Sequence, residues 1–140
     1  MMRRRTAICA VVGMLAACNG GADRERGRAL FAGEAPLVAR IAGHAETLPS
    51  IASRCANCHA FDRTSAAASA VSFGPALSPR FLREARSRRG GPASRFDAAS
   101  LCQLLRTGVD PAYILIPRSM PMYEISDRDC RALWEYMNND

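Results

Sequence analysis

A chain of 140 residues, 49% of them hydrophobic, can enclose one small domain with a modest core and excludes a multidomain assembly. The formal charge of +6 rests on nineteen arginines and no lysine, and three of those arginines lie within the first five residues. Without those three, sixteen basic residues face thirteen acidic ones, a formal +3, too little to argue for nucleic acid and suited to docking on an acidic protein partner.

Met-Met-Arg-Arg-Arg precedes the apolar run Thr6 to Ala17. Positive charge before a short apolar run is the pattern of an export signal. The run has twelve residues, and a membrane span takes roughly 20. "LAAC", Leu15 to Cys18, closes it and resembles the lipobox of bacterial lipoproteins. The resemblance implies cleavage before Cys18, acylation of that cysteine, and a membrane anchor on the periplasmic side. Asn19 after the cysteine implies the outer membrane slightly over the inner one. The expected division is a signal peptide at 1–17, a short lipid-anchored tether at 18–22 and one domain at 23–140. From Cys18 to Asp23 an extended tether reaches at most about 17 Å.

Within the domain, a first helix is expected at about 24–32, capped by Asp23. Leu37, Val38 and Ile41 suit a short amphipathic helix at 36–43, stopped by Gly43. Pro49 suits the first turn of a helix at 50–58. Residues 60–77, rich in Ala and Ser, read as a loop. Ser78 and Pro79 open a helix to about Arg89, stopped by Gly90 and Gly91. Another helix runs from Asp97 to Thr107 and ends at Gly108. The last starts at Ser126 with a capping-box-like Ser-x-x-Asp, and its apolar stripe is Cys130, Leu133, Trp134 and Met137. No convincing strand alternation is present, so the expected class is all-α.

The six cysteines sort by position. Cys9 leaves with the signal, and Cys18 is the lipid acceptor. Cys102 and Cys130 sit on the apolar faces of two expected helices. In an oxidising compartment they form a disulfide, or else they are two buried thiols. Cys55, Cys58 and His59 make "CANCH". Structural zinc needs four ligands, and no second Cys or His pair at such spacing exists. A thioredoxin-type pair needs a βαβ setting that is absent here. Cys-x-x-Cys-His is the signature of covalent c-type haem attachment. Its spacing lets both sulfurs reach the two vinyl groups of one porphyrin while His59 meets the iron.

Four further segments resemble class I cytochromes c, in that family's order. "RGRALF", Arg26 to Phe31, is similar to the N-terminal helix, in which Gly27 and Phe31 would pack on the last helix at Leu133 and Tyr136. "FGPALS", Phe73 to Ser78, resembles the Gly-Pro-x-Leu loop, which implies that the Pro75 carbonyl orients His59. "LRTGVDP", Leu105 to Pro111, resembles the end of the helix before the methionine loop. "SMPMY" and the helix after it resemble the family's ligand loop and C-terminal helix. This implies Met120 as second axial ligand, with Met122 as the alternative and Met137 in the core. Residues 33–53 stand as an insertion before the haem motif. The implied fold is a small helical domain wrapped around one covalently bound haem c.

The resemblance implies a carrier and not an enzyme. With His59 and Met120 both on the iron, no position is open for substrate, and a thioether raises the potential. Electrons would pass through the haem edge to redox protein partners, respiratory or dehydrogenase, near the membrane that anchors Cys18. The alternatives are an electron-accepting subunit of one dehydrogenase, or a gas- or peroxide-binding haem sensor if the methionine does not ligate. His44 reads as a surface residue, with a bis-histidine haem as its alternative. Arg80, Arg83, Arg86, Arg88, Arg89 and Arg95 read as a solvated basic face, with docking of an acidic surface as its alternative.

Overall fold

The structure, a computed structural model, describes residues 19–59 and 74–138. The expected signal peptide, the acceptor Cys18, Phe73 and most of the 60–77 loop lie outside the described residues. In chain order come α1 (Asn19–Ala32), β1 (Val38–Arg40), a single 3-10 turn (Cys55–Asn57), α2 (Pro79–Arg83), α3 (Ala98–Thr107), β2 (Met122–Glu124) and α4 (Asp127–Asn138). Among the described residues no helix is long and apolar enough to cross a membrane.

α1 and α4 form the main packing unit. Gly27, Leu30 and Phe31 fall on one face of α1 at i, i+3 and i+4, and all three are buried. They meet α4 so closely that a Cβ on Gly27 would lie 2.6 Å from the Ala132 carbonyl carbon and 2.7 Å from Tyr136 Cβ. The Phe31 and Tyr136 rings are 5.6 Å apart and tilted. Arg26 Nε bonds Asp129 Oδ1 at 2.8 Å beside the crossing. Asp129, the acid of the expected capping box, thus turns to α1, while its N–H still donates to Ser126 Oγ. Gly33, at φ 77, ends α1, and the N–H groups of Glu34 and Ala35 both donate to the Ala29 carbonyl. From Asn19, the first described residue, the chain is already helical, so Asp23 lies inside α1 and residues 19–22 are helical, not an extended tether.

The described residues are mainly helical, as expected of the all-α class, with one small two-stranded sheet that was not expected. Segment 36–43 is no helix, because β1 pairs antiparallel with β2 in the register Val38–Glu124, Ala39–Tyr123 and Arg40–Met122. Ala39 and Tyr123 are buried and face inward. Val38 is 46% exposed, and Arg40 pairs with Glu124 on the outer face. Three-residue strands are too short to display a period of two, and each finds its partner only after the chain has folded.

α2 starts where expected, with Ser78 Oγ accepting from the Phe81 N–H at 3.1 Å, but it ends at Arg83. Glu84 turns extended, and the chain doubles back through an antiparallel bridge between Arg86 and Ser94. Arg89 at φ 48 and Gly90 at φ 77 make the reversal. The enclosed residue is Arg88, 7% exposed. Its guanidinium lies 5.1 Å from the Phe81 ring centre and 5.0 Å from that of Phe96. It donates to the Phe81 carbonyl at 2.6 Å and to the Ser94 carbonyl. The basic stretch is therefore not one solvated face. Arg80 and Arg86 pair with Glu84, and Arg89 pairs with the buried Asp110.

α3 follows its local signals. Asp97 Oδ1 accepts from the Ser100 N–H at 2.7 Å, Ser100 Oγ accepts from the Asp97 N–H at 2.9 Å, and Gly108 closes the helix at φ 70. A disulfide joins Cys102 of α3 to Cys130 of α4, with Cα atoms 5.4 Å apart.

Candidate haem-attachment site

The segment before the cysteines is held by its backbone. Ser53, 3% exposed, donates from Oγ to the carbonyls of Ser50 at 3.1 Å and Leu37 at 3.2 Å. The Tyr123 hydroxyl donates to the Ser53 carbonyl at 3.0 Å, and Asn57 Nδ2 donates to the Ile51 carbonyl at 2.6 Å. From this base the chain makes the 3-10 turn, where a helix over 50–58 was expected. The N–H groups of Cys58 and His59 both donate to the Cys55 carbonyl, at 3.1 and 2.9 Å. In a 3-10 turn residues i and i+3 eclipse, so Cys55 and Cys58 stand on one side, as they would on an α-turn. Neither belongs to a disulfide. Burial pushes the Cys55 thiol up to about 11, with the Tyr123 hydroxyl pulling the other way. Burial likewise raises the Tyr123 phenol, so it stays a neutral donor.

His59 is fixed from two sides. Its Nδ1 lies 2.9 Å from the Pro75 carbonyl oxygen, which can only accept, so Nδ1 carries the proton. Burial lowers the imidazole pKa below its ordinary value, and the Pro75 bond partly offsets that. The ring is then neutral, with the Nε2 lone pair left for a metal. Gly74 makes this seat: a Cβ there would come within 3.0 Å of both Cε1 and Nδ1 of the ring. The Gly74 N–H in turn donates to the Cys58 carbonyl at 2.8 Å, tying the loop to the motif.

The two candidate methionines separate by environment. Met122 is in β2 beside Tyr123, and alternation puts it on the outer face with Arg40 and Glu124. Met120 precedes the strand in a turn closed by its N–H on the Pro117 carbonyl at 3.0 Å. It is half-buried and packs against the core cluster. Met137 is buried within α4, and His44 is exposed. Among the described residues no three His, Cys, Asp or Glu side chains are grouped to hold a bare metal ion.

Sequence reasoning missed Ser53, Tyr123 and the seat at Gly74. Gly74 had a signal in the "GP" dipeptide; Ser53 and Tyr123 had none, because their contacts are made across the fold.

A family model for cytochrome c matches residues 25–139. The chain belongs to the cytochrome c family, whose members carry covalently attached haem c and serve haem-based electron transfer. No curated protein and no solved structure matches it. The residues present fit the haem. Two thiols share one side of a turn, and a neutral imidazole offers one nitrogen. Ile51, Tyr113 and Leu115 present exposed apolar surface on the segments leading to the motif and to Met120.

Proposed function

We propose that this cytochrome c family member is a lipid-anchored periplasmic electron carrier, with His59 and Met120 as the axial ligands of one haem held by Cys55 and Cys58. One observation carries the reading: His59 commits Nδ1 to Pro75 at 2.9 Å, which leaves Nε2 as its only free ligand atom. Bound haem supplies one-electron exchange at its iron. The chain's own residues anchor and tune it. The Pro75 carbonyl strengthens the imidazole as a donor. Met120 would supply a soft ligand that favours the reduced state. The packing of Met120 against the core, with Met122 on the outer face of the sheet, supports Met120 as the ligand.

The membrane arm of the proposal rests on "LAAC" together with the start of α1. With residues 19–22 already part of α1, an acylated Cys18 would leave little chain between anchor and domain. The C-terminal end of α1 packs at the haem motif, where Gly33 lies against the Arg54 side chain. At 1.5 Å per residue the helix would carry the haem roughly 20 Å along its axis from the anchor. Its redox partners are then proteins that present their own centre within about that distance of the membrane.

The test is the full chain exported by a bacterial host that attaches c-type haem. The expected product is coloured, fractionates with membranes, and shows the weak red charge-transfer band of methionine ligation in the ferric form. Met120→Ala abolishes that band and Met122→Ala keeps it. Colourless protein, or a band indifferent to Met120, overturns the ligation; Cys18→Ala that still partitions with membranes overturns the anchor.

A further inference from the structure

Residues 108–126, between α3 and α4, carry Met120 and are closed at their base by two separate ties. The first is the Cys102–Cys130 disulfide. Cys102 is 7% and Cys130 2% exposed, so the bond is largely buried, at the floor of a groove between α3 and α4 that Gln103, Arg106 and Arg131 also line. The second lies one turn further along α3. Arg106 donates from Nε and Nη2 to the Ile125 carbonyl, at 3.1 and 2.7 Å, and from Nη2 to Asp127 Oδ1 at 2.7 Å. It grips Ile125, two residues before α4, and Asp127, the first residue of α4, together. Inside the segment the backbone is ordered independently of Met120. Asp110, with a fully buried carboxylate, accepts from the N–H groups of Ala112 and Ile114 at 2.9 Å each and from Arg89 at 2.5 Å. The Ile116 N–H donates to the Gly108 carbonyl at 2.9 Å.

We infer that Cys102–Cys130 and Arg106 are positioning residues for Met120: they hold both ends of the loop, so that the thioether is presented to iron with little ordering left to be done. The inference rests on the reading of Met120 as axial ligand. A thioether is a weak ligand. Its hold on ferric iron falls in proportion to the share of loop conformations that place it correctly. A loop tied at its base keeps that share high; an untied one spreads it over many backbone states.

The test uses ferric holoprotein and free imidazole, which competes with the thioether for iron. The variants are C102A/C130A, R106Q, and R26Q as control; R26Q breaks the α1–α4 ion pair at 2.8 Å and leaves the loop untouched. Thermal unfolding is recorded beside imidazole affinity and the pH at which the red band disappears. Both clamp variants are expected to bind imidazole about tenfold more tightly than wild type and to lose the band at lower pH, while R26Q shifts only the unfolding temperature. If C102A/C130A yields no holoprotein, R106Q and dithiol-reduced wild type carry the comparison. Clamp variants that bind imidazole no more tightly than R26Q overturn the inference alone. A wild type that lacks the band overturns the Met120 reading and the inference with it.

Discussion

Gly74→Ala puts the geometry of His59, the proposed axial ligand, under direct strain. A Cβ at this position meets Cε1 and Nδ1 of His59 inside 3.0 Å, where real Cβ atoms essentially never sit. Restoring an ordinary contact needs a retreat of roughly 1 Å. The ring has little freedom to retreat. Nδ1 is held by the Pro75 carbonyl at 2.9 Å, and on the proposed ligation Nε2 would be held by iron once haem is attached. Gly74 itself is tied to the motif through the Cys58 carbonyl, so the loop cannot simply swing out. Moving the ring lengthens Nδ1···O beyond hydrogen-bonding range, which costs about 0.5–1.5 kcal/mol. Strain in the displaced loop adds about 1–3 kcal/mol. The sum is about 1.5–4.5 kcal/mol, concentrated at His59. The assay is thermal unfolding of the holoprotein with the reduction potential measured alongside. Expected are a large stability loss and a changed potential, because losing the Pro75 bond alters the donor strength of the imidazole. A variant with wild-type stability and potential refutes the reasoning, since it shows that the ring does not need this seat.

Gly27→Ala drives a Cβ against the Ala132 carbonyl and Tyr136, and backbone cannot rotate away. The gain in helix propensity, about 1 kcal/mol, is outweighed, and chemical denaturation should show a net loss of about 2 kcal/mol. Arg88→Leu leaves the Phe81 and Ser94 carbonyls without their donor and removes a cation from between two rings; about 3 kcal/mol of stability is expected to go. Arg83→Gln, on the exposed end of α2, should stay within about 0.5 kcal/mol in the same denaturant titration. Asp97→Ala should cost about 1 kcal/mol at neutral pH. Bonds from Ser100 hold the folded Asp97 carboxyl below its ordinary 3.8. Its contribution is therefore complete above pH 3.8 and fades as pH falls through the lower folded value. Wild type and variant should converge in stability at that acid end.

The parts legible in the sequence are those whose cause lies within a few residues. Two thiols and an imidazole at fixed spacing define a haem-attachment chemistry whatever surrounds them. Asp97, Ser100 and Gly108 bound α3 because a cap bonds to its own first turn and a glycine closes the last one. Ser78 and Pro79 started α2 for the same reason. The close seat of Gly27 on α4 is a long-range contact, legible only through the family resemblance.

What the tertiary structure decided depends on partners far along the chain. Residues 36–43 had apolar spacing for a helix, yet Ala39 is buried against Tyr123 as a strand. The run from Arg83 to Arg89 looked like a charged helix face, yet it closes around Arg88, because Phe81 and Phe96 converge only when the segment folds back. Met120 and Met122 are two positions apart and chemically identical; pairing of β2 with β1 turns one outward and leaves the other against the core. Local spacing can encode caps, turns and a covalent motif. Which face of a short strand is covered is set by the elements that arrive on it, and a short stretch of sequence carries no record of them.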